Sequence, residues 1–172
     1  YHNTLDVTER QLSNGTRDDI NFDTTGFDLR NSINLGNPEF HHHNITVGTE
    51  FYTNNQESTG NRATGARLFF PEANSYVYGL YIQDEITLFN DRVVLVPGLR
   101  WDHWENKATG QSKKTADRVN PKIGGVVKAT AFLFLTANYA HGFRQPGFDD
   151  LFVSGTHFPG SVFLPNPDLK PE

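Results

Sequence analysis

The sequence predicts an all-β protein, an antiparallel transmembrane β-barrel segment with short turns on one rim and long loops on the other. Three observations carry this. Apolar and polar residues alternate with a period of two along most of the chain, and no helical period competes with it. Connections between the alternating runs are in turn short and long, as in outer-membrane barrels with tight periplasmic turns and long extracellular loops. Aromatic residues make up 13% of the 172 residues. Tyr52, Tyr76, Trp101, Trp104 and Tyr139 fall near run ends, where aromatic girdles meet the headgroups.

A weak first strand is expected around LDVTERQL. In GFDLRNSINLG, Phe27, Leu29, Ile33 and Leu35 share one face, opposite Asp28, Arg30, Ser32 and Asn34. NITVGTEFYT sets Ile45, Val47 and Phe51 against Thr46, Gly48 and Glu50. YVYGLYIQDEITL sets Tyr76, Tyr78, Leu80, Ile82, Ile86 and Leu88 against Gly79, Gln83, Glu85 and Thr87. RVVLVPGLRWDHW sets Val93, Leu95, Leu99 and Trp101 against Arg92, Arg100 and Asp102. VNPKIGGVVKA and AFLFLTANYAHGF follow in the same style. GNPEFHHH, FNDR and KATA read as the tight turns; Thr53 to Ser75, Glu105 to Arg118 and everything after Gly142 read as long loops, with SNGTRDD on the same rim. Pro97 and Pro121 lack ladder donors and call for bulges.

Composition narrows the function classes. A net charge of −5 without a basic stripe gives no reason to expect nucleic acid. No cysteine means no disulfide, thiolate metal site or cysteine nucleophile. A mean hydropathy of −0.55 is lean, yet barrels expose only alternate residues to lipid. Ala131 to Ala140 is the longest strongly apolar stretch, long enough for a tilted spanning strand and too short for a spanning helix. No phosphate loop, nucleophile elbow or spaced carboxylate pair occurs, so no enzyme is expected. A soluble β-sandwich binding domain and an outer-membrane enzyme are the alternatives from other classes. The sandwich would turn about every 8 to 12 residues, more often than these runs do.

YIQDEITL, VPGLRWD, NPKIGGVVK, NYAHGFRQPGFDDLF and NPDLKPE, in that order, resemble successive strands of TonB-dependent outer-membrane receptors. FRQP (residues 143–146) and NPDL (residues 166–169) resemble the FRAP and NPNL boxes of the haem and haemoglobin receptor branch, with Gln145 and Asp168 as the departures. Phe143, Arg144, Pro146, Asn166, Pro167 and Leu169 are the matching box residues. The resemblance implies that residues 1–172 are part of one β-barrel domain of 22 strands, with the plug domain and the C-terminal barrel strands lying outside this chain. The absence of methionine points the same way, to a processed or partial chain. The resemblance also implies a cell outer membrane location in a Gram-negative bacterium, surrounding lipid, and the TonB complex as partner through a missing N-terminal part. The transported ligand would be haem, free or taken from haemoglobin or another host haemoprotein, with no resident cofactor. A ferric-siderophore receptor is the alternative within transport.

In that branch the loop between the boxes carries a histidine that binds haem iron, and His157 is the one histidine between Pro146 and Asn166. Neutral imidazole is a good ligand for ferric haem. Phe158, with Phe148, Phe152 and Phe163, offers flat apolar surface, and Arg144 carries the charge to pair with a propionate. The proline boxes also read as backbone devices that hold a long loop over a barrel mouth. His41, His42 and His43 read as a polar turn tract rather than a metal site, because adjacent strand residues point to opposite faces. His103 and His141 lie near outer strand ends, where they can line a ligand path.

Overall fold

The computed structural model describes residues 1–10, 17–37, 41–60, 71–158 and 161–171; of Glu9, Arg10, Arg17, Asp18, Thr59, Gly60, Thr156, His157, Phe158 and Ser161 it describes the backbone alone. Seven strands form one antiparallel meander in chain order: β1 (His2–Arg10), β2 (Arg17–Asn37), β3 (His41–Gly60), β4 (Ala73–Leu88), β5 (Val93–Ala108), β6 (Lys114–Lys128) and β7 (Phe134–Ala140). A one-turn helix, α1 (Phe148–Leu151), and a small hairpin of β8 (Gly155–Phe158) and β9 (Ser161–Phe163) follow.

The pairing register sorts the side chains into two faces. One row runs Phe27–Phe51–Tyr78–His103–Asp117 across five strands, and the rows toward the short turns carry Leu80 with Trp101 and Ile82 with Leu99. Leu29, Ile33, Leu80, Ile82, Val119 and Ile123 are about half exposed or more, the expected state of side chains that meet lipid. From Tyr76 to Leu88 this outward row, apolar except at Asp84, which pairs with His43, covers about 40 Å of strand, which at a tilt of about 40° is about 30 Å of thickness. The opposite face is polar, with Glu50, Gln83, Arg100, Asp102, Asn120 and Lys122. A sheet dry outside and wet inside is the barrel arrangement, and no helix among the described residues is long and apolar enough to cross a membrane.

The strands outrun the sequence expectation at the long-loop end. Thr53 to Gly60 continue β3 and Glu105 to Ala108 continue β5, so the β5–β6 connection is a tight one. β2 has 21 residues, about twice what a tilted strand needs to cross a membrane. Beyond the lipid both faces are wet, so alternation fades while backbone pairing continues. At the other rim, Ala131 to Leu133 belong to the turn, since the Ala129 and Thr130 amides both donate to the Leu133 carbonyl (2.9 and 3.3 Å). The FNDR turn takes Phe89, Asn90 and Asp91 through positive φ (57°, 54° and 62°), a conformation that Asn and Asp tolerate and Phe resists. Pro97 produces a gap instead of a bulge: pairing of β4 with β5 stops after Gln83–Gly98 and resumes at Ile86–Leu95 in the same register. Pro121 sits in an unbroken β5–β6 register. The SNGTRDD connection falls mostly outside the described residues, as does the middle of GNPEFHHH.

The girdle expectation holds for Tyr76, Trp101 and Tyr139, which are on the outer face. Tyr52 and Trp104 have the other parity and face inward. The row that does form a girdle includes Phe27 and Phe51, with ring centroids 5.9 Å apart, and Tyr78, 4.9 Å from Phe51.

Candidate functional site

Two features of the inner face lie between the barrel wall and the loop end. The first is an ion network across β3, β4 and β5. Glu50, Gly79 and Asp102 are neighbours in one row. The Arg100 guanidinium lies over Gly79, donating to Glu50 Oε2 at 2.6 Å and to Asp102 Oδ1 at 2.7 Å. Any side chain at position 79 would occupy that space, since a Cβ there would fall 2.3 Å from the guanidinium. Asn120 donates to the other Asp102 oxygen at 3.1 Å, which leaves both oxygens of this buried carboxylate bonded. Lys122 donates to Gln83 on the same face. A cavity of about 310 Å³ opens over this network, and His141 lines it together with Tyr81, Arg100 and Lys122. A second hollow of about 410 Å³ continues from Arg100 and Asp102 up to Phe143 and Gln145 of the first box.

The second feature is the docking of the segment after β7. Leu151, Phe152 and Val153 are buried, and Leu151 and Phe152 pack with Ala73, Val77, Trp104 and Ala108 on the inner wall. The inward parity of Trp104 and Tyr52 has its explanation here, for both pack in or against this cluster. The Asn106 amide donates to the Pro146 carbonyl at 3.3 Å, tying the first box to β5. Lys114 reaches Asp168 at 3.3 Å, tying the second box to the start of β6. Inside the segment, Asp150 Oδ2 accepts from the Gly147 amide (3.0 Å) and from Arg144 (3.2 Å). The Asp150 carbonyl accepts from the Asn166 amide at 3.4 Å, and Asn166 in turn holds the NPDL turn through the amides of Asp168 and Leu169. Asp149 is exposed, yet partial desolvation beside the docked helix, and after it the charge of Asp150, raises its carboxyl above the usual carboxylate range.

The residues expected from the sequence distribute as follows. The backbone of His157 lies in β8, between the pairs Thr156–Val162 and Phe158–Ser161, where the register is irregular. The side chains of His157 and Phe158 are outside the described residues. Arg144 is exposed and engaged with Asp150. Phe143 is half-buried over the inner hollow, Pro146 is buried, Pro167 is half-buried, and Asn166 and Leu169 are exposed. Arg144, Pro146 and Leu169 border one small cavity of about 120 Å³, so the two boxes come together. Phe152 is spent on the wall, and Phe148 packs against the same cluster, so neither is a free apolar face. His103 points outward and pairs with Asp117 at 2.9 Å, so parity removes it from the inner face, whereas His141 lines the inner cavity. His43 likewise faces outward and contacts Asp84 at 2.6 Å. Among the described residues no cluster of three metal-ligating side chains occurs.

Comparison with known proteins gives a consistent picture. The family model described as TonB dependent receptor-like, beta-barrel, matches residues 1–172. The chain is 30% identical to the heme/hemopexin utilization protein C of Haemophilus influenzae, over 100% of this chain and 24% of that protein. It is 31% identical to the hemin receptor of Yersinia enterocolitica, over 100% of this chain and 25% of that protein. Among solved structures, the hemophore receptor HasR of Serratia marcescens, a double mutant in complex with its hemophore HasA and heme, superposes with a TM-score of 0.69 at 19% identity. The match covers 91% of this chain and 28% of HasR. BauA, the ferric preacinetobactin receptor from Acinetobacter baumannii, gives a TM-score of 0.64 at 17% identity, over 94% of this chain and 26% of BauA. The chain thus spans about a quarter of the length of the curated relatives it matches.

Proposed function

The chain belongs to the TonB-dependent receptor family of β-barrels, and on that premise we propose that it forms part of the barrel of an outer-membrane receptor that imports haem. The observation that carries this reading is the pair of boxes, FRQP and NPDL, brought together on the barrel wall with His157 on the hairpin between them. Curated relatives named for heme and hemin use are about 30% identical over the whole chain, which supports haem over other ferric ligands. BauA supports the fold alone and does not decide between haem and a ferric siderophore.

In this reading the docked segment, anchored to the inner wall by Leu151 and Phe152, carries the β8–β9 hairpin with His157. Neutral His157 Nε2 or Nδ1 donates its lone pair to ferric iron, and protonation removes that pair, so capture weakens in acid. The polar inner wall below, from Gln145 down to Lys122, gives the haem propionates hydrated surface on the way through, with Lys122 as the cation not already matched by a carboxylate. TonB supplies the energy for release into the periplasm through parts of the receptor beyond this chain. The haemoprotein from which haem is taken would be recognised by the long-loop rim, with haemoglobin one such source. Arg144 has its charge partly offset by Asp150 and takes a propionate only by sharing that partner. Haem titration of the full-length receptor, followed by its absorption spectrum with and without His157, tests this reading. Unchanged affinity and spectrum in His157→Ala would exclude His157 as the ligand.

A further inference from the structure

We propose that Asp150 is a positioning residue, a clamp between the two proline boxes that sets the attitude of the β8–β9 hairpin and thereby the affinity for haem. The geometry stands by itself, while the consequence for haem rests on the function proposed above.

Three bonds converge on this one residue. Its carboxylate receives the Gly147 amide at the start of α1 and the Arg144 guanidinium of the first box. Its carbonyl receives the Asn166 amide of the second box. The Gly147 bond is the reciprocal half of a capping box, in which the third helical residue reaches back to the cap amide. Immediately after it, Leu151 and Phe152 bury themselves in the wall. Asp150 therefore connects the wall anchor to both feet of the excursion that carries His157. Each foot has its own tether to the barrel, Asn106 to Pro146 and Lys114 to Asp168, and the tether at Lys114 is exposed and weak. Without the Asp150 carboxylate the second foot keeps its backbone bond to the residue-150 carbonyl, while the cap amide of Gly147 and Arg144 of the first box lose their hold on that same residue, so the two feet are no longer locked together. A hairpin free to pivot at its base must be ordered again on each binding event, and that cost appears as lost affinity.

The bonds also rank the substitutions. The Arg144 pair is largely solvent-exposed and adds little, so Asp150→Asn, which still offers an oxygen to the Gly147 amide, should act mildly. Asp150→Ala removes the cap and the pair together. Asp150→Glu keeps a carboxylate that is a good capping-box partner and should restore the clamp.

The experiment uses the full-length receptor carrying nitroxide labels at Gln111→Cys, on the β5–β6 turn, and Leu164→Cys, in the exposed stretch before the second box. Pulsed dipolar spectroscopy reads their separation, and haemin titration reads affinity. Asp150→Ala should broaden the distance distribution and weaken haemin binding about tenfold, the size expected for a lost cap and its ordering. The absorption spectrum of the saturated complex should stay that of the parent, because the iron ligand is untouched. Asp150→Glu should recover both readings. An unaltered distance distribution in Asp150→Ala overturns the clamp, and broadening with unaltered affinity overturns its positioning role. A parent receptor that binds no haemin refutes the haem reading alone, and the distances still decide the clamp.

Discussion

Leu151→Ala tests how the loop is held. Leu151 is 1% exposed and shares its cluster with Val77, Trp104 and Phe152. Truncating a fully buried leucine costs about 2 to 5 kcal/mol, and a four-residue helix lying on a wall can relax, which points to about 2 kcal/mol. That cost falls on docking of the loop, since the strands beneath keep their own ladders. It corresponds to an increase of about 30-fold in the undocked population. The amides of Leu151 and Phe152, which donate to Gly147 and Phe148, report directly on docking. In the full-length receptor their hydrogen exchange should accelerate about 30-fold, and the amides of β4 and β5 should not change. Unchanged exchange at Leu151 and Phe152 would refute the anchor. Equal acceleration in β4 and β5 would show that Leu151 holds the wall itself.

Two further outcomes follow from desolvation and parity. The Asp149 carboxyl is raised by partial desolvation and by Asp150, so its protonated form favours docking. Docking should therefore be strongest in acid and weaken as pH rises through that raised value. Asp149→Asn should abolish this dependence, as read from the distance between labels at positions 111 and 164. Ile82 and Gln83 are adjacent but face lipid and interior, respectively. Ile82→Lys should destabilise refolding into vesicles by about 2 to 4 kcal/mol near the midplane, whereas Gln83→Lys should be close to neutral. Equal effects would contradict the assignment of faces.

How much was legible in the sequence depends on where lipid imposes its pattern. Tyr78, Leu80 and Ile82 must be apolar on alternate positions, so the central strands and both faces could be read. Asn54, Asn55 and Gln56 extend β3 in water with no such demand, and they read as loop. The same limit misplaced Tyr52 and Trp104: as aromatics near run ends they resemble girdle residues, and only their parity, fixed by pairing, turns them inward under α1. The two boxes stood out by their resemblance to family motifs, and His157 by its place between them. Asp150 did not, although GFDD carries a signal, an acid at the third helical position after a glycine cap. The Glu50–Arg100–Asp102 network could not be read at all, because residues 50 apart meet only through the register of three strands.

The central claim is that the hairpin between the boxes delivers His157 to haem iron. Haemin titration of the full-length receptor and its His157→Ala variant, followed through the haem absorption band, tests it most directly. The account predicts saturable binding by the parent, and in the variant weaker binding with a shifted band from loss of the imidazole ligand. Identical affinity and identical spectra in the two proteins would contradict it.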